Sequence, residues 1–238
     1  MLLSFIAMQI RLLADNGKVH SAMQEASTKR IYDLQSVVYE ATFGRLVKRR
    51  VENAVNHMNI RSDDLVLDLG IGTGASLNFF PRDRGRIVGI DLSSGMLRYC
   101  RQKIREWDLR NVNVFQANAL QLPFADNVFD QVFISHVISV VSDPVALVKE
   151  AQRVAKPGAK ILILNHFQST NRLIALIEKW LCPMFIHLGW RSDLALQDVI
   201  RGTGMEIDYR FKLGNIDLWE TVVTHNDKSA LRGQLAMA

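Results

Sequence analysis

Asp68-Leu-Gly-Ile-Gly-Thr-Gly74 follows directly on the apolar run Leu65-Val-Leu67, and a second carboxylate, Asp91, closes the next apolar run 21 residues after Gly70. An acid at the end of a buried strand, followed by glycines that lead into a helix, lets backbone approach a ligand with no Cβ atoms in the way. Gly70, Gly72 and Gly74 are therefore expected to line a cofactor, with Asp68 and Asp91 accepting from its polar groups. Two other nucleotide loops are excluded. The P-loop ends in Gly-Lys-Ser/Thr, whereas Gly74 is followed by Ala75-Ser76, with no lysine to reach phosphates. The dinucleotide fingerprint Gly-x-Gly-x-x-Gly places its third glycine one residue later than Gly74. What remains is a loop beside a strand, Arg86-Ile-Val-Gly-Ile-Asp91, whose final acid stands where a doubly wound sheet meets ribose hydroxyls.

The elements that must hold these residues follow from periodicity. Strands are expected at 65–69, 86–91, 112–117, 128–135 and the fully apolar Lys160-Ile-Leu-Ile-Leu164; helices are expected at 74–80, 94–107 and 143–156. The last of these helices ends at the turn pair Pro157-Gly158. Helical patterns over 28–58 precede this series, and helices near 170–182 and 193–202 lead to closing strands near 205–212 and 217–224. Such alternation implies an α/β fold with a mostly parallel sheet, helices on both faces and ligands at the carboxyl ends of the strands. At 238 residues and 48% hydrophobic, the chain is long enough for one sizeable core. The expected division is a helical cover with a membrane-contact segment over 1–58, the cofactor domain over 59–225 and a flexible tail over 226–238.

Val66-Leu-Asp-Leu-Gly-Ile-Gly-Thr-Gly74 followed by Val88-Gly-Ile-Asp-Leu-Ser-Ser-Gly-Met-Leu97 resembles the class I S-adenosylmethionine (SAM) methyltransferases. The likeness continues through Asn118-Ala-Leu-Gln-Leu-Pro-Phe124 and Phe129-Asp-Gln-Val-Phe133 to Arg153-Val-Ala-Lys-Pro-Gly158. It implies a Rossmann-like, seven-stranded sheet whose last strand is antiparallel, and SAM as cofactor. It further implies that Asp68 lies near the methionine amino group, the Gly70–Gly74 backbone along the methionine and ribose, and Asp91 on the ribose hydroxyls. Leu92 and Met96 are expected against the adenine, unless they are ordinary helix packing. Asn118 and Ala119 are expected at the adenine amine, where the family more often has an aspartate.

The acceptor must be read elsewhere. In place of the Asn/Asp-Pro-Pro-Tyr/Phe of exocyclic-amine DNA enzymes, the fourth strand is followed by Ser135-His-Val-Ile-Ser-Val-Val-Ser-Asp-Pro144, which argues against nucleobases. That segment, with Ile163-Leu-Asn-His-Phe167, Leu188-Gly-Trp-Arg-Ser-Asp193 and Tyr39-Glu-Ala-Thr-Phe-Gly44, resembles the bacterial soluble-type phosphatidylethanolamine N-methyltransferases. Quinone-modifying C-methyltransferases share the Leu-Pro-Phe and Lys/Arg-Pro-Gly pieces and remain an alternative, as does a non-catalytic, membrane-associated SAM-binding protein. An amine acceptor needs alignment and a deprotonated nitrogen rather than a covalent nucleophile. His136 and His166, at the ends of the fourth and fifth strands, are the candidate bases, since imidazole titrates near neutral pH. Tyr32 and Tyr39 are expected to close over the methyl and orient the ammonium by face contacts, with core packing at helical spacing as the alternative. Arg191 is the candidate for the lipid phosphate, with Trp190 at the membrane interface. Local pairing of Arg191 with Asp193 is the competing reading.

Composition narrows the partners. Formal net charge is +5, and the basic run Lys48-Arg-Arg50 lies on a helical pattern with Val47, Val51, Val55 and Met58. It reads either as a solvated helix face or as a patch for anionic headgroups. Aromatic and basic residues do not interleave as single-stranded nucleic-acid sites require, so no nucleic-acid partner is expected. The two cysteines, Cys100 and Cys182, have no metal-ligand spacing, so no metal is expected and free thiols in a reducing compartment are. The apolar start Met1-Leu-Leu-Ser-Phe-Ile-Ala-Met-Gln-Ile10 is too short to span a bilayer. The expected location is cytoplasmic, peripherally on the inner face of a membrane with an anionic surface, and the oligomeric state is left open.

Overall fold

A computed structural model of the chain describes residues 45–168, 194–214 and 217–227. Helix α1 (Arg45–Met58) precedes β1 (Leu65–Leu69), a single 3-10 turn (Ser76–Asn78) and β2 (Arg86–Asp91). Then come α2 (Ser94–Glu106), β3 (Val112–Gln116), β4 (Phe129–Ser135), α3 (Pro144–Val154), β5 (Ala155–His166), α4 (Leu196–Thr203), β6 (Tyr209–Phe211) and β7 (Trp219–His225). The seven strands form one sheet in the order β3-β2-β1-β4-β5-β7-β6. Strands β1 to β5 pair in parallel, whereas β7 is antiparallel to both β5 and β6. The seven-stranded expectation with an antiparallel last strand therefore holds.

Alternation along each strand splits the core into two layers. Leu67, Leu69, Ile161 and Ile163 face one side with α3 and α4 residues such as Leu147 and Val199. Val66, Leu162 and Leu164 face the other with Val47, Val51 and Met58 of α1 and Leu97 of α2. Burial on both faces explains the near-continuous apolar runs of the central strands. Helix starts carry their own signals: the Ser93 and Asp143 side chains accept from the Met96 and Ala146 N–H groups, and Pro144 opens α3.

Three expectations change. The helix at 74–80 is only the 3-10 turn, because six residues between Gly74 and Pro81 leave little room and a residue before proline is pushed away from helical geometry. The Pro157-Gly158 turn lies inside β5 rather than before it. Phe129 pairs with Ala155 but Gln131 pairs with Lys160, so Lys156–Ala159 loop out as a wide bulge. Asn226, assigned to the tail, is fully buried and staples that bulge, its amide donating to the Gln152, Ala155 and Lys156 carbonyls. The helical cover before Arg45, the helix near 170–182 and the tail past Asp227 lie outside the described residues.

Candidate active site

The carboxyl ends of β1, β2 and β3 form one half of the site. Asp68 is 1% exposed and its Oδ2 accepts from Ser76 Oγ at 2.5 Å. Burial pushes its pKa up to about 7, against the Ser76 hydrogen bond and with help from the negative charge of Asp91. Asp91 organises the loop: Oδ2 accepts from the Gly72 N–H at 3.0 Å and Oδ1 from the Ser93 N–H at 2.8 Å. A carboxylate oxygen can accept more than one hydrogen bond, which is the chemistry a ligand's hydroxyls need. The glycines differ in purpose. A Cβ at Gly70 would meet Val137 Cβ at 2.7 Å and one at Gly74 the flexible end of Leu77 at 2.7 Å, and Gly70, Gly72 and Gly74 all adopt positive φ, at 73°, 56° and 80°. A Cβ at Gly72 would meet nothing nearer than the Gly70 carbonyl at 3.9 Å, so the loop opens at Gly72. Asn118 Oδ1 accepts from the Leu120 N–H at 2.8 Å, and Leu120 and Ala119 pack on the core. Leu92 is half-buried and Met96 buried beneath the first turn of α2.

The ends of β4 and β5 and the start of β7 form the other half. His136 has a positive φ of 58°, a conformation a non-glycine residue adopts only where its surroundings enforce it, and its N–H donates to the Leu164 carbonyl at 2.9 Å. Burial, reinforced by the positive charge of Arg50, pushes its pKa down to about 3. That shift favours the neutral ring. His166 is 5% exposed and its Nδ1 lies 2.7 Å from the Leu218 carbonyl. A carbonyl only accepts, so Nδ1 carries the hydrogen and Nε2 is the basic nitrogen of the neutral ring. Trp219, paired with His166 across the β5–β7 ladder, places its ring 6.1 Å away.

Arg50 was not expected here. Its guanidinium grips Asp217 with Nε to both carboxylate oxygens, at 2.9 and 3.0 Å, and with Nη2 at 2.7 Å, and it lies 4.4 Å over the Trp219 ring. Burial opposes the charge on Asp217, but the Arg50 fork and the Trp219 N–H together hold that carboxyl below the usual range. Of the basic run, only Lys48 and Arg49 are exposed. The available signal was phase: Arg50 stands three residues after Val47, on the buried side of α1.

Residues 67–163 match the family described as "Methyltransferase domain". A phosphatidylethanolamine N-methyltransferase of Cereibacter sphaeroides is 34% identical over 171 residues, covering 71% of this chain and 83% of that protein. This chain belongs to the SAM-dependent methyltransferases. A demethylmenaquinone methyltransferase of Geobacillus sp. (strain WCH70) is 30% identical over 178 residues, covering 68% of this chain and 76% of that one. Among solved structures, a SAM-dependent methyltransferase from Thermotoga maritima superposes with a TM-score of 0.62 at 19% identity, covering 84% of this chain and 100% of that one, which is a likeness of fold.

The first half of the methyltransferase's site fits SAM. Two carboxylates suit a ligand carrying a sulfonium and an ammonium, the loop opens where a Cβ would otherwise stand, and Asp91 retains acceptor capacity for ribose. Asp68, Gly70, Gly72, Gly74, Asp91, Leu92, Met96, Asn118 and Ala119 come together at adjacent strand ends, and His136 and His166 at the next pair. Tyr32, Tyr39, Trp190 and Arg191 lie outside the described residues. Cys100 is buried against Gly74, and burial, with the charge of Asp68, pushes its thiol up to about 12, which removes it as a nucleophile. Among the described residues no helix is long and apolar enough to cross a membrane.

Proposed function

We propose that this methyltransferase transfers methyl groups from SAM to the amine of phosphatidylethanolamine, in successive steps toward phosphatidylcholine, at the cytoplasmic surface of a membrane. The observation that carries this reading is His166, a buried imidazole at the acceptor end whose Nδ1 is committed to the Leu218 carbonyl, so that Nε2 is the basic atom. The Cereibacter sphaeroides relative supports the choice of acceptor.

The cofactor supplies an electrophilic methyl on a cationic sulfur. The Gly70–Gly74 backbone, Asp68 and Asp91 would hold and orient it. His166 Nε2 would take a proton from the ammonium headgroup, freeing the nitrogen lone pair to accept the methyl that the cofactor would supply. His136, held neutral, contributes a polar imidazole without a competing positive charge beside the amine. In this reading Tyr39 and Tyr32 close over the methyl and the ammonium, while Arg191 and Trp190 meet the lipid phosphate and the interface.

A quinone or other small-lipid C-methyltransferase is the second reading, supported by the demethylmenaquinone relatives. Purified protein with methyl-labelled SAM, offered liposomal phosphatidylethanolamine and demethylmenaquinone in parallel, separates them. Label in mono-, di- or trimethylated headgroups is the expected result. Label in the quinone alone, or in neither lipid while SAM binding is intact, overturns the proposal.

A further inference from the structure

A lipid that stays in its leaflet can present its headgroup only to a protein edge that faces the bilayer. In this fold that edge is the carboxyl side of β4 and β5, where His136 and His166 stand. Because β7 is antiparallel to β5 and β6 antiparallel to β7, β6 runs parallel to β5. The connection from β6 to β7 therefore emerges at the same edge as His166.

That connection has two unlike sides. Among the described residues four large apolar side chains are exposed, and two of them are here: Leu213, 46% exposed, and Leu218, 55% exposed. Lys212, also exposed, adjoins the first. On its inner side the same connection carries the Leu218 carbonyl that fixes His166 and the Asp217 carboxylate that grips Arg50, and it enters β7 at Trp219, on which that guanidinium lies. The Leu213 and Leu218 side chains are exposed, while the backbone carbonyl of Leu218 itself meets His166 Nδ1. A lysine beside leucines suits the boundary between anionic headgroups and acyl chains.

We infer that the described flanks of the β6–β7 connection, residues 212–214 and 217–218, meet the bilayer, with Leu213 and Leu218 entering the lipid surface and holding in place the Leu218 carbonyl that orients His166. The inference rests on the phospholipid reading and adds to it a surface and a means of coupling that surface to the base. Leu218 and Asp217 act as positioning residues; neither touches the reacting atoms.

The test compares two forms of one substrate. Full-length protein is assayed on vesicles of phosphatidylethanolamine and phosphatidylglycerol, and on short-chain phosphatidylethanolamine kept below its micelle concentration. Wild-type kcat should be several-fold higher on vesicles. Leu213→Asp should leave turnover of the dispersed lipid within about twofold and lower vesicle kcat about fivefold or more, as loss of one apolar anchor implies. Lys212→Glu should give a smaller vesicle-specific loss that fades with added salt. Leu218→Asp should lose vesicle turnover at least as severely as Leu213→Asp. Equal losses on both lipid forms, unchanged vesicle turnover, or a change of oligomeric state in Leu213→Asp without a change in vesicle binding would each overturn the inference. Failure of the wild type to methylate either form would instead sink the phospholipid reading itself.

Discussion

The two halves of the site are assembled over different distances along the chain. On the cofactor side, Ser76 lies eight residues from its partner Asp68, and Gly72 lies 19 from Asp91. On the acceptor side, His166 is fixed by a carbonyl 52 residues away, and Arg50 by a carboxylate 167 residues away. The first half is a strand, a glycine turn and a second strand, a unit whose residue types must recur wherever backbone has to approach a ligand. The second half is a meeting of α1, β4, β5 and β7, whose side chains acquire their roles only from one another. The first unit is local in the chain, whereas the second can vary without disturbing it.

The comparison can be broken at four points. The largest effect is expected from Asp91→Ala, which removes the acceptor for the Gly72 and Ser93 N–H groups as well as for ribose. SAM affinity measured by calorimetry should fall at least about 300-fold, as loss of charge-assisted hydrogen bonds implies. Next, His166→Gln should lower kcat about 100-fold with SAM affinity unchanged, whereas His136→Gln should cost less than about tenfold, because a ring that stays neutral to pH 3 is not the proton acceptor. Equal losses would put the base elsewhere.

Arg50→Ala sharpens the contrast within one helix. It leaves the Asp217 carboxylate, 6% exposed, without its fork, and should cost about 2–3 kcal/mol of stability in denaturant titration, while Lys48→Ala stays within about 0.5 kcal/mol. Similar values for the two would make Arg50 an ordinary surface cation.

The smallest effect is a pH dependence. Asp68 titrates at about 7 in the fold, above its ordinary 3.8, so the cofactor-free protein favours the protonated form. That contribution to stability is complete below pH 3.8 and is lost as pH rises through about 7. A cationic ligand favours the ionised form instead. SAM affinity should therefore weaken as pH falls through 7, by up to about tenfold per unit. Asp68→Asn should flatten that profile, bind SAM more weakly at pH 8, and raise the cofactor-free melting temperature there by about 5 °C. An unchanged pH profile in the variant would remove Asp68 as its source.

Much of the cofactor half was legible because its signals are local. β2 spans the expected residues, and Gly70, Gly72, Gly74, Asp68 and Asp91 converge as their spacing required. The misjudged pieces involve contacts that spacing does not encode. The helix after Gly74 shrank to one turn between a glycine and a proline, and Asn226 was joined to the core by a bulge 70 residues earlier in the chain. The burial of His136 and the approach of Arg50 to it are likewise facts of packing that its residue type does not announce.

The amino-acid sequence by itself determined the doubly wound order of strands and helices, the glycine loop and the two acids at its strand ends. Each of these is written in residue types within a few turns of one another, and hydrophobic periodicity admits few alternatives. Tertiary structure alone decided that Arg50 turns inward while Lys48 and Arg49 face water, that His166 Nδ1 meets the Leu218 carbonyl, and that Asp217, Leu218 and Trp219 gather beside them. Those outcomes depend on partners at and just before the start of antiparallel β7, and a partner far along the chain leaves no mark on the local pattern of the residue it meets.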